Sequence, residues 1–162
     1  MRTSLIVFLT TISLCLADLG CGGSGSNTNI AANTAGATAN SNAAKTNVEE
    51  LGMSVNVPYK VDDLVWKEYP AQKRILAVMR IASENVPRVV SDASVSGQAE
   101  NVSIPSQSWF PDELIAQAEM SGDNTLKGQS YPANAFFQDS YNTGRVIRIE
   151  GTEFFVLDLT AK

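Results

Sequence analysis

Two adjacent carboxylate pairs, Asp62-Asp63 and Asp112-Glu113, supply the residue types that general acid–base catalysis uses. The segment SGDNTLKG at 121–128 adds three loop oxygens, from Asp123, Asn124 and Thr125, of the kind that ligate calcium. Aromatic residues gather nearby: Trp109, Phe110, Tyr131, Phe136, Phe137 and Tyr141. If several were exposed they would form a recognition surface for a protein or glycan partner. Each feature also has a plainer reading. Both carboxylate pairs read as helix starts, where negative charge complements the dipole, and neighbours on a helix point in different directions. The 121–128 segment lacks the alternating acids and closing glutamate of an EF-hand loop, which favours a turn. Core packing accounts for most of the aromatic residues.

What is missing narrows the chemistry further. The chain has 162 residues and no histidine, which excludes Ser-His-Asp and Cys-His catalysis and histidine-ligated metals. Cys15 and Cys21 are the only cysteines, so everything after residue 21 lacks a disulfide, a thiolate nucleophile and cysteine-bound zinc. Neither G-x-S-x-G nor S-x-x-K occurs. No catalytic, metal-ligating or cofactor-binding residue is assigned, and no cofactor is implied. The net charge of -5 argues against a nucleic-acid partner, which calls for a concentrated basic patch.

The elements that would position these residues begin after an unusual amino end. Residues 1–20, MRTSLIVFLTTISLCLADLG, place Arg2 before an apolar run from Leu5 to Ala17. That run is short of the roughly 20 residues needed to span a bilayer and fits the core of a secretory signal peptide. A buried amino-terminal helix is the competing reading. The following residues, Asp18-Leu19-Gly20-Cys21, resemble the lipobox of bacterial lipoproteins. Gly20 and Cys21 match that pattern; Asp18 and Leu19 depart from it. The resemblance implies lipid attachment at Cys21 and a membrane partner through that anchor. Gly22, where inner-membrane retention calls for aspartate, implies the outer membrane of a two-membrane bacterium. Two other outcomes stay open. Cleavage after Ala17, with Cys15 and Ala17 as the small-x-small pair, would release a soluble secreted or periplasmic protein, and an uncleaved leader would act as an anchor.

Residues 21–47 read as the attachment cysteine and a tether of Gly, Ser, Asn, Ala and Thr, with Lys45 its only charge. Such a composition buries too little apolar surface to offset the entropy of ordering it. Residues 48–162 have the length of one small domain. MSVNV at 53–57 is expected as a strand, and VDDLVWKEY as a helix capped by Asp62. Pro70 opens a further helix, with Ile75, Val78, Met79 and Ala82 on one face of PAQKRILAVMRIASEN; a buried strand over Ile75–Ile81 is the rival reading. Short strands around a turn at SGQA are expected over 87–105, and a helix from Pro111 to Gly122 buries Leu114, Ile115 and Ala118. Residues 123–144 read as loop.

The end of the chain is the best-defined element. GRVIRIEGTEFFVLDL reads as a β-hairpin turning at Gly151-Thr152, pairing Ile147 with Val156 and Arg145 with Asp158. Both its faces are largely apolar, which requires a cover on each side, with the helix from Pro111 on one. The expected fold is an α+β single domain with a mostly antiparallel sheet, two or three helices and a C-terminal hairpin. The function these features suggest is an exported cell-envelope lipoprotein acting as a binding or structural module. A small carboxylate-dependent hydrolase or transferase of the envelope is the alternative.

Overall fold

Alternation, not a helical stripe, governs the first strand of the sheet. In the segment Val61–Tyr69 (β1), Leu64 and Trp66 are buried while Val65, Lys67 and Tyr69 face the other side. The helix expected there is therefore a strand. Its branched and aromatic residues suit a pleated surface, and it pairs residue by residue with the apolar segment Arg74–Ile81 (β2). The helix expected through Ile75–Ile81 is likewise a strand, the rival reading, because its nearly continuous apolar run is buried on both faces between β1 and the C-terminal strand. Pro70 opens only a single 3₁₀ turn between the two strands, Pro70–Gln72.

Residues 43–162 are described by the structure, a computed structural model. The leader at 1–20, Cys21 and residues 22–42 of the tether lie outside the described residues. The last residues assigned to the tether already belong to the fold. Lys45 and Trp66 exchange backbone hydrogen bonds of 2.8 Å, and the Asn47 side chain caps the short helix Val48–Gly52 (α1). The strand expected at 53–57 is absent; turns and coil bury Val55 there instead.

Val86–Ser96 (α2) is a helix where short strands are expected. Val86, Val89 and Ala93 recur at helical spacing on its buried face, and that periodicity outweighs the strand preference of valine. After the SGQA turn the chain enters Glu100–Pro105 (β3), as anticipated. Asp112–Ser121 (α3) follows with Pro111 at its N-cap and Gly122 at its C-cap, and it buries Leu114 and Ala118. Residues 123–144 are not loop. They contain Thr125–Pro132 (β4), a 3₁₀ turn at Asn134–Phe136 and the start of Tyr141–Ile149 (β5). Glycine and serine occupy inward positions of β4, Gly128 and Ser130, so its alternation carries little apolar signal.

Phe154–Ala161 (β6) completes a six-stranded sheet ordered β1-β2-β6-β5-β4-β3. Every neighbouring pair is antiparallel. The hairpin register is the expected one, with Ile147 opposite Val156 and Arg145 opposite Asp158. Its turn lies one residue earlier. Ile149 accepts from the Thr152 N–H at 3.3 Å, and Gly151 takes φ 74°, at the position where a type II turn needs positive φ.

Two hydrophobic clusters sandwich the sheet. Val146, Phe155, Leu157 and Leu159 pack with α2, Leu51, Tyr59 and Phe136. Ile147, Ile149, Phe154 and Val156 pack on the opposite face with α3, Phe110 and Ile104. The fold is a small α+β single domain with a wholly antiparallel sheet. Among the described residues no helix is long and apolar enough to cross a membrane.

Gly144 sets the approach of β5 to β6. It has φ 147°, and a Cβ built on it would lie 2.1 Å from the Asp158 carbonyl oxygen. Gly144→Ala is expected to cost about 2–4 kcal/mol through strain and overpacking, read as a lower urea midpoint. Gly52→Ala, with open space around its Cβ, should be neutral or stabilising by up to about 1 kcal/mol in the same assay.

Candidate functional site

The aromatic residues are placed by the sheet rather than by their proximity in sequence. Phe110, Tyr131, Phe136 and Tyr141 are all less than 10% exposed. Trp109 and Phe137 are half-buried, each packed against one of the two cores. Trp109 and Phe110 meet edge to face, with centroids 4.8 Å apart, on the α3 side. The other four belong to the α2 side. The six therefore do not form one recognition surface, because the sheet separates them and the cores absorb them.

The acidic candidates are dispersed as well. Asp62 and Asp63 border a shallow depression of about 270 Å³ beside Thr46 and Val48, and Asp62 lies 3.7 Å from Lys60. Asp112 and Glu113 start α3, where Glu113 accepts from Arg80 at 2.6 Å. Asp123 accepts from the Ser121 hydroxyl, the Thr125 hydroxyl and the Thr125 N–H. Those donors hold its carboxyl below the ordinary aspartate range. Asp123 thus closes the turn between α3 and β4.

Among the described residues, two further concavities lie one on each face of the sheet. The larger, about 620 Å³, opens where β3, β4 and β5 run beyond the cover of α2. Register places Asn101 beside Gln129 and Gln129 beside Arg148, with Ser103 beside Lys127. Its floor is hydrogen-bonding and mildly basic, with Glu150 and Gly151 at one end. Tyr131 braces this basin from the core side by donating its hydroxyl to the Gln129 side chain at 2.9 Å.

A smaller cleft of about 240 Å³ lies on the α3 side. Asp158 on β6 sits between Leu76 on β2 and Arg145 on β5. Arg74 donates its Nε to Asp158 Oδ1 at 2.6 Å, and Arg145 Nε lies 3.7 Å from Oδ2. The hydrogen bond to Asp158 holds the Arg74 guanidinium above its ordinary pKa. Tyr69 stacks beside Arg74, and Leu76, Phe110, Ile147 and Val156 form an apolar wall. A single carboxylate gripped by two arginines is not the paired-carboxylate arrangement that a hydrolase of this composition would need.

Sequence reasoning found the Arg145–Asp158 pair through the hairpin register but missed Arg74, Tyr69 and the basin. No family model matches the chain, and neither do curated proteins or solved structures.

Two buried tyrosines set an alkaline limit. Burial, reinforced by a hydrogen bond to Asp92, pushes the Tyr59 phenol up to about 12. Burial and a hydrogen bond to Glu68 push Tyr141 up to about 12. An unfolded tyrosine ionises near pH 10, so the stability these groups contribute is complete below about pH 10 and is lost as pH rises toward 12. Denaturant melts at pH 9 and 11.5 should therefore show an alkaline loss in the native protein that is reduced in the Y59F/Y141F variant.

Proposed function

We propose that this chain is a non-enzymatic binding module of the cell envelope, exported and held at the membrane by a lipid on Cys21. The basin over β3, β4 and β5 carries the binding half of this reading. Asn101, Ser103, Lys127, Gln129 and Arg148 project hydrogen-bonding groups from a rigid sheet into one open concavity. Sites built on strands hold their geometry better than sites on loops, and a polar floor of this kind suits a hydrophilic partner, protein or glycan. Beside the basin, β3 is the terminal strand of the sheet, so its outer backbone groups can extend the contact.

The anchoring half rests on the apolar leader, on Cys21 directly after Gly20, and on the small-residue polar segment that follows.

The two halves are tested separately. Mass spectrometry of the protein from its native membrane should find a mature amino terminus beginning at Cys21 with added acyl mass, and Cys21→Ala should carry neither that terminus nor the acyl mass. Retention of Met1 in a soluble cytosolic protein would overturn the export reading. For the basin, a photo-crosslinking residue at Gln129 should give a discrete adduct in intact cells, and the same residue at exposed Glu84 should not. Lys127→Glu with Arg148→Glu should abolish that adduct while leaving the thermal midpoint within a few degrees.

A further inference from the structure

The cleft on the α3 side has features that the basin lacks: paired arginines, a buried apolar wall and a small volume. Its charged lining consists of Arg74, Arg145 and Asp158, two cations against one anion. Both arginines approach Asp158 through Nε, at 2.6 and 3.7 Å. Guanidinium carries further donors at its terminal nitrogens, and these form the fork that grips a carboxylate bidentately. Asp158 therefore fixes the two side chains without exhausting them. The looser partner, Arg145, is also the more exposed, at 46% against 34% for Arg74.

On the same face of the sheet, two residues along their strands from Arg74, Arg145 and Asp158, lie Leu76, Ile147 and Val156, and Phe110 and Ile104 complete the apolar lining. Gln72 and Gln107 add two amides to the lining. At about 240 Å³ the cleft is smaller than the roughly 300–1,000 Å³ of pockets that enclose drug-sized ligands.

We propose that this cleft binds a small free carboxylate with a compact apolar body, its anionic end on Arg145 and Arg74 and its body against the accessible edges of Tyr69, Leu76, Ile104 and Phe110. The assignment is independent of the basin and of export. A lone inorganic anion would leave the accessible edges of Tyr69, Leu76, Ile104 and Phe110 in contact with water. An uncharged apolar molecule would displace water from two guanidiniums without replacing its hydrogen bonds. Only a ligand with both parts satisfies the whole surface.

The test uses the purified full chain and calorimetric titration with N-acetylleucine, N-acetylleucinamide and acetate. N-acetylleucine should bind at one saturable site, with the amide and acetate each at least tenfold weaker. Arg145→Gln should weaken N-acetylleucine at least tenfold. Arg145→Lys, which keeps the charge but loses the fork, should fall between. Lys127→Gln, in the basin, should change affinity less than twofold. Equal binding of acid and amide, no binding of either, or an unchanged affinity in Arg145→Gln would overturn the proposal. So would binding confined to longer peptides ending in leucine, because it would make the ligand a polypeptide terminus rather than a free small molecule.

Discussion

Val156 and Leu157 are adjacent in the chain, both fully buried, and belong to different cores. In a strand, consecutive side chains point to opposite faces, so β6 can leave water only if something covers it above and below. Each such side chain contributes about 1.5–3 kcal/mol on burial, and β6 has five fully or nearly fully buried residues from Phe154 to Leu159 besides Asp158. The two-sided apolar strand is therefore the constraint from which the rest follows. β2 and β5 flank it because their own inward residues need the same two covers. The helices α2 and α3 supply one cover each, and their buried stripes match the face they meet.

The covers are narrower than what they cover. Six strands spaced about 4.8 Å apart make a sheet roughly 24 Å across. A helix with its side chains is about 10–12 Å wide and screens little more than two strands. The other elements on the α2 face, α1, Tyr59 and the turn holding Phe136, extend that cover but do not reach the outer parts of β3 and β4. Where a cover stops, inward positions turn polar: Gln129 and Arg148 on one face, Arg74, Arg145 and Asp158 on the other. Both concavities are thus products of the mismatch between helix and sheet width, and they fall on opposite faces because the two helices do.

Legibility of this fold in the sequence followed how local its determinants are. The C-terminal hairpin was readable to the register, because two apolar faces and one opposite-charge pair admit a single alignment. Its turn was placed one residue late, since that alignment constrains which residues pair and not how the four residues between them fold. α3 was readable from its proline start, acidic first turn and glycine end. β1 was not, because Leu64, Val65, Trp66 and Tyr69 fit both periods, and only pairing with β2 selects the strand. β4 was hidden by Gly128 and Ser130, inward residues with little or no apolar side chain. The site divides in the same way. Arg145 and Asp158 could be matched across one hairpin, whereas Arg74 reaches Asp158 across 84 residues of sequence, through a β2–β6 pairing that no local pattern announces.

The Arg74–Asp158–Arg145 cluster is a poor candidate for a stabilising device. Exposed ion pairs contribute about 0–1 kcal/mol, and removing charges from water costs more as burial increases. Asp158 is only 17% exposed, so it bears part of that cost. Branched aliphatic residues at these three positions would continue the stripe of Leu76, Ile147 and Val156 and extend the core toward the strand ends. They would also fill the cleft. Charged side chains with long stems do the opposite: their methylenes lie along the apolar wall while their heads stay hydrated, which keeps the space open and wet. The arginines thus trade core extension for a concavity with one apolar side and one cationic side, and a surface of that composition is complementary to an amphipathic anion rather than to the protein's own interior.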